Sequence, residues 1–237
     1  MYGGQCCSEY TKSMLELKGS MEKYNHQMTG IFVGNESLIP RARNKIAHIF
    51  LQTTDASHLL FMDGDQSFEP RDIVKLIKAD KDIIVGIVPM KGINWDRVRQ
   101  GVLRNHSDLE SLTGIFNIRE LPGHQMSDDI YEPFQILYGG SGYMLIKREV
   151  FEKLAPKTPL YNDKGGAKVH NFFSAEIVGQ ELLSEDFLFC HKYREQGGTV
   201  WAAPWCKVGH FGSYHFKGDY TASTELDRSC QKEMFVK

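Results

Sequence analysis

Two carboxylates separated by one glycine, Asp63-Gly64-Asp65, follow directly on the apolar run Leu59-Leu60-Phe61-Met62. Such a run reads as a buried strand, and in an open α/β sheet the ligand crevice lies beyond the carboxyl ends of the strands. Two hard oxygen ligands at that point suit Mg²⁺ or Mn²⁺, ions that keep several waters and take one or two carboxylates together with substrate phosphates. The pair therefore reads as a clamp for a metal-bound diphosphate. The plainer alternative is that Asp-Gly-Asp is only a turn.

A clamp needs elements to aim it. His58 to Met62 is the strand that delivers the aspartates. Ahead of it the spacing predicts a helix over Ser8 to Lys18, with Tyr10, Met14 and Leu17 on one face and Gly19 as its stop. A short strand is predicted over Met28 to Val33, then a second helix capped by Ser37, with Pro40 in its first turn and Ile46, Ala47, Ile49 and Phe50 as its buried stripe through Leu51. A third helix starts near Pro70 with Ile73, Leu76 and Ile77 on one face, and Asp82 to Met90 reads as a buried strand.

Residues 91–132 scatter Gly, Asn, Asp and Pro, and a long irregular insertion in an α/β domain usually forms a rim or lid. Regularity returns with a strand interrupted by Gly139, Gly140 and Gly142, where glycines signal a bulge or the close approach of a ligand, and with a short helix from Arg148 to Leu154. Ser184 caps a further helix that Gly197 or Gly198 closes. Thr199 to Trp205 reads as a last strand, Cys206 to Phe216 as a loop, and residues 217–237 as a polar tail. Helices alternating with apolar strands predict one α/β domain over residues 1–237, a mostly parallel sheet with helices on both faces.

Composition narrows the functional classes. A formal net charge of -2 gives no general attraction to a polyanion. No apolar stretch reaches the roughly 18 residues of a membrane span, so no membrane anchor is expected. Five cysteines, an odd number without Cys-x-x-Cys spacing, point to a reduced, cytoplasmic protein with no signal peptide.

Taken in order, "SLIPRARNKIAHIFL", the strand ending in "DGD", "FEPRDIVKLIKADKDIIVGIVPMK", "GGSGYMLI", "SEDFLFCHKYREQGG" and "GHFG" resemble the GT-A family of nucleotide-sugar glycosyltransferases. The chain is most similar to the compact bacterial and large-virus or phage branch, which would place a viral member in the host cytoplasm. The resemblance runs from Tyr2 to about Phe211. The family's opening apolar strand has no counterpart ahead of "MYGGQCC", which leaves base-binding residues near Tyr2 and Gly3 in question.

The resemblance implies a Rossmann-like GT-A fold, a nucleotide-diphosphate sugar donor, a hydroxyl acceptor and Mn²⁺ or Mg²⁺ as cofactor. It implies that Asp65 binds the metal directly and that Asp63 contacts the ribose or the metal's water shell, with either able to ligate. His210 is the later metal ligand, with His215 as its substitute. Asp186, paired with Glu185 at the start of a helix, is the expected base for the attacking hydroxyl, although acids in a first helical turn are also stabilised by the macrodipole alone. Arg41, Arg43 and Asn44 lie where similar enzymes contact the nucleotide or sugar diphosphate, and Lys91 has the same reading; the alternative is that they only buttress their elements. Gly140 and Ser141, with Gly139 and Gly142, match the segment beneath the donor sugar, and Trp95 is the tryptophan placed to stack on a sugar.

Two other classes stay open. Asp-x-Asp after a strand also serves phosphohydrolases of the haloacid dehalogenase type, with Asp63 as nucleophile. A carbohydrate- or nucleotide-binding module on a degenerate transferase fold is the non-enzyme reading. The acceptor is a glycan or a modified DNA base, and nucleic acid enters only in that acceptor role.

Overall fold

The apolar runs that read as strands pair at the centre of the molecule. The structure, a computed structural model, describes residues 4–125, 127–212 and 215–234, of which 215–216 and 229–234 are described by their backbone alone. Chain order is α1 (Ser8–Lys23), α2 (Ile39–Thr53), β1 (His58–Met62), β2 (Gln66–Ser67), α3 (Pro70–Lys78), β3 (Ile83–Gly86), α4 (Trp95–Leu103), β4 (Ile118–Glu120), β5 (Phe134–Gly139), β6 (Tyr143–Lys147) and α5 (Arg148–Leu154). Two hairpins follow, β7 (Leu160–Asn162) with β8 (Lys168–His170) and β9 (Glu176–Val178) with β10 (Glu181–Leu183). The chain then forms α6 (Glu185–Glu195), β11 (Val200–Ala203), the antiparallel pair β12 (Gly209–Phe211) and β13 (His215–Lys217), and α7 (Tyr220–Met234).

Six strands make the central sheet in the order β1-β6-β3-β11-β5-β4. The sheet is mixed. β11 pairs parallel with β3, whereas β6, inserted between β1 and β3, is antiparallel to both. β6 begins directly after the 140–142 turn, with no crossover helix of the length a parallel entry needs. β1, β3 and β11 thus share a direction and bring their carboxyl ends to one edge.

Helices cover both faces. On one side Ala47 and Phe50 of α2, Val150 and Phe151 of α5 and Phe189 and Tyr193 of α6 pack on Phe61, Val85 and Ile146. On the other, Leu17 and Met21 of α1 and Ile73 and Leu76 of α3 pack on Ile84 and Leu145.

Several boundaries differ from the pattern-based reading. α1 runs through Gly19 to Lys23 because Met21, four residues after Leu17, keeps its buried stripe. Met28 to Val33 forms no strand; Ile31 packs on the core while the backbone stays outside the ladder. β3 ends at Gly86, and Pro89, lacking an N–H, makes only an isolated bridge to Phe116. The 91–132 insertion contains α4 and β4, β12 and β13 pair where a loop was expected, and residues 220–234 of the tail form α7, whose Thr221 and Leu226 are buried. Tyr2 and Gly3 lie outside the described residues.

Candidate active site

Alternation along β1 decides where the first aspartate points. Leu59 and Phe61 are buried on the α2 face, and Asp63 continues that phase. There it meets Arg43, whose Nη2 donates to Oδ1 at 3.2 Å and stands 3.4 Å from Oδ2. Arg43 belongs to the buried stripe of α2 with Asn44, Ala47 and Phe50, and its guanidinium lies over the Phe61 ring at 5.3 Å. Its Nε is 3.7 Å from Glu185 Oε1, so one buried cation bridges the two acidic motifs.

Asp65, beyond the turn, faces the other way. Its Oδ2 accepts from Lys91 Nζ at 2.7 Å and lies 3.3 Å from His210 Nε2. The opposite ring atom, His210 Nδ1, is 2.8 Å from the carbonyl oxygen of Pro89. A carbonyl can only accept, so Nδ1 carries a hydrogen; Nε2 donates to Asp65 when the ring is protonated and presents a lone pair when it is neutral. Burial works against the Asp65 carboxylate, but the hydrogen bonds from His210 and Lys91 outweigh it and hold its pKa down at about 2. The Phe211 N–H donates to the Asp65 carbonyl at 2.7 Å, locking β12 to the aspartate loop.

Gly142 lies beneath that loop. Its carbonyl accepts from the Asp63 N–H at 3.0 Å, and a Cβ there would come within 2.4 Å of Gln66 Nε2 and 3.0 Å of Asp63 Oδ2. Gly140 is equally constrained: a Cβ would stand 2.6 Å from Asn117 Nδ2. Between them, the Ser141 N–H donates to Asp186 Oδ2 at 3.2 Å. Asp186 Oδ1 accepts from the Phe187 N–H at 2.8 Å and from the Ser184 hydroxyl. Glu185 is raised in pKa, first by burial and then by the neighbouring Asp186 charge, with Arg43 acting against both.

Of the residues expected at the site, the structure gathers Asp63, Asp65, Arg43, Lys91, Gly140, Ser141, Glu185, Asp186 and His210 at the common carboxyl edge of β1, β3 and β11. Asp65 and His210 converge, whereas Asp63 is turned to Arg43. Among the described residues no three His, Cys, Asp or Glu side chains form a metal cage. A carboxylate beside an imidazole of fixed tautomer fits an ion that takes the rest of its shell from water and phosphate.

Two other expected residues, Asn44 and Arg41, are paired within the chain. Asn44 is 1% exposed: its amide donates to Asn171 Oδ1 and the Phe173 carbonyl, and its carbonyl accepts from the Phe173 N–H at 2.8 Å. Arg41 pairs with Glu36 through both Nε and Nη2. Trp95 opens α4 with its side chain exposed. The side chain of His215 lies outside the described residues. Pattern reading passed over Gln66, buried under Gly142, and the Pro89 carbonyl; nothing local in the sequence marks a carbonyl 121 residues away as the partner of His210.

No protein-family model matches the chain, and no curated protein matches it in sequence. Among solved structures, the chain is similar to the crystal structure of A197 from STIV, at 16% identity over 84% of this chain and 79% of that one, with a TM-score of 0.46. It is also similar to the crystal structure of GalNAc-T7 with UDP, GalNAc and Mn²⁺, at 18% identity and a TM-score of 0.45. That match covers 92% of this chain but 37% of GalNAc-T7. No helix among the described residues is long and apolar enough to cross a membrane.

Proposed function

We propose that this chain is a metal-dependent glycosyltransferase that moves a sugar from a nucleotide-diphosphate donor to a hydroxyl acceptor, with inversion at the anomeric carbon. The observation that carries the reading is the pairing of Asp65 Oδ2, in the loop after β1, with His210 Nε2 on β12, 3.3 Å apart. Asp65 and His210 would hold Mn²⁺ or Mg²⁺. When bound, the ion supplies positive charge to the diphosphate as it leaves.

The remaining roles belong to the chain itself. Gly140 and Gly142 let the 140–142 turn pack closely on Asn117, Gln66 and Asp63, since a side chain at either would collide with them. Arg43, between Asp63 and Glu185, keeps like charge from accumulating on the acidic side of the site. Asp186 is held in a fixed orientation by the Ser141 and Phe187 N–H groups. The acceptor oxygen forms its bond to the anomeric carbon, the bond from that carbon to phosphate oxygen breaks with its electron pair going to the diphosphate, and the acceptor proton passes to Asp186. The acceptor is a glycan hydroxyl or the hydroxyl of a modified DNA base.

The phosphohydrolase alternative fits less well. An attacking Asp63 would have to leave the Arg43 guanidinium that bridges its carboxylate, and the Asp65, Lys91 and His210 cluster would have no part in the reaction. Release of nucleoside diphosphate from a panel of nucleotide sugars, with and without Mn²⁺, tests the proposal. Ion-dependent release that disappears in Asp186→Asn supports it. Nucleotide-sugar binding without turnover in any acceptor mixture would return the binding-module reading, and an acyl-phosphate trap forming at Asp63 would return the phosphohydrolase.

A further inference from the structure

Both carboxylates of the Asp63-Gly64-Asp65 loop are neutralised by cations of the chain itself, Asp63 by Arg43 at 3.2 Å and Asp65 by Lys91 at 2.7 Å. The two pairs differ in how firmly the cation is held. The Arg43 side chain is 9% exposed, stacked over Phe61 and shared with Glu185. That of Lys91 is 42% exposed, and Lys91 lies just beyond Pro89, near the start of the long segment leading into α4. Lys91 also approaches the same oxygen, Oδ2, that His210 Nε2 faces. An oxygen bonded to an ammonium at 2.7 Å has its outward lone pair occupied, and an ammonium and a divalent cation on one carboxylate oxygen repel each other.

From this we infer that Lys91 is a built-in competitor for the metal position: it occupies Asp65 when the site is empty and must leave when a divalent cation takes that oxygen. The inference rests on the reading of Asp65 and His210 as the metal clamp. Arg43 cannot play this part, because its guanidinium is buried over Phe61 and is also held by Glu185. Lys91 can, because its flexible four-carbon stem is half in water. Displaced from Asp65, its ammonium needs another anion, and the diphosphate of the donor is the one the proposed reaction brings to this edge. Metal and donor binding are then coupled through one side chain: the ion alone must leave Lys91 without a partner, whereas the ion arriving with a diphosphate gives Lys91 a new one. By linkage the coupling is reciprocal.

Mn²⁺ alone is the probe that isolates the competition, with free Mn²⁺ read by its electron paramagnetic resonance signal in titrations of wild type, Lys91→Met, Lys91→Arg and Asp65→Ala. Lys91→Met is expected to bind Mn²⁺ about 1.5- to 5-fold more tightly than wild type, the range set by a half-exposed ion pair. Lys91→Arg, which keeps a cation against Asp65, is expected to stay at the wild-type level, and Asp65→Ala to lose the site. Equal or weaker Mn²⁺ binding by Lys91→Met, including the absence of binding by both proteins, overturns the competition. Undiminished binding by Asp65→Ala instead overturns the clamp reading, and with it the inference. Lys91 is exposed, so loss of fold does not confuse the comparison.

Discussion

His210 Nε2 stands 3.3 Å from Asp65 Oδ2 because the other ring nitrogen is committed to the Pro89 carbonyl. Three parts of the chain meet in that relationship: the loop after β1, the segment after β3 and the strand β12. Replacing His210 with alanine should weaken Mn²⁺ binding by about 10- to 100-fold, on the scale seen when metal-site contacts are lost. Titration of the ion against the variant checks this, and unchanged affinity would remove His210 from the site.

The acidic pair on α6 should divide its work unequally. Asp186→Asn is expected to lower the transfer rate by about 10²- to 10⁴-fold, the usual contribution of a positioned base. Glu185→Gln, which removes the counter-charge of Arg43, should have a smaller effect. Steady-state rates for the two variants decide the matter, and a larger loss in Glu185→Gln would move the role of base to Glu185.

Glu185 also gives a signed pH dependence. Its folded pKa lies above the unfolded value of 4.5, so between those values the folded chain binds more protons than the unfolded chain. Its contribution to stability is therefore fullest below pH 4.5 and falls as pH rises through the raised pKa. Melting curves of wild type and Glu185→Gln from pH 4 to pH 7 should show the variant gaining on wild type as pH rises. A difference that is flat or has the opposite slope would contradict the burial argument.

Gly142→Ala should damage the site more than the fold. The new methyl would come within 2.4 Å of Gln66 Nε2 and 3.0 Å of Asp63 Oδ2, and overpacking of this kind costs about 1–3 kcal/mol. The expected outcome is a modestly lower melting temperature and a lost metal-dependent response to nucleotides. Retention of that response would show that the aspartate loop tolerates displacement.

Asn44→Ala tests a structural role against the donor contact first expected of it. The substitution strands the buried N–H and carbonyl of Phe173, at about 1–3 kcal/mol for such groups. Stability measured by urea unfolding should fall by that amount, while nucleotide affinity of the folded fraction is unchanged. Reduced affinity with unchanged stability would restore the donor contact.

How much of this was legible in the sequence depended on the range of the interaction. The strand and its two aspartates could be read because Leu59 to Asp65 carries the apolar run and the turn within seven residues. The buried side of Arg43 and Asn44 was also present locally: they precede Ala47 and Phe50 by the i+4, i+7 and i+3 spacings of one helical stripe, although the reading assigned both to the donor. Met28 to Val33 has strand composition and no ladder partner, and ladder pairing is not a local property. The separation of Asp63 from Asp65 rested on Arg43, Lys91 and His210, which are distant in the chain, so no spacing rule could assign the two carboxylates different partners.

The most direct test of the central claim is a thermal-shift panel of nucleoside diphosphates and nucleotide sugars, each with and without Mn²⁺, on wild type and Asp65→Ala. A ligand that binds only the folded chain must raise the melting temperature by mass action. The account predicts a metal-dependent rise with one nucleotide that is abolished in Asp65→Ala. The absence of a rise with every nucleotide, or a rise that survives the substitution, would contradict it.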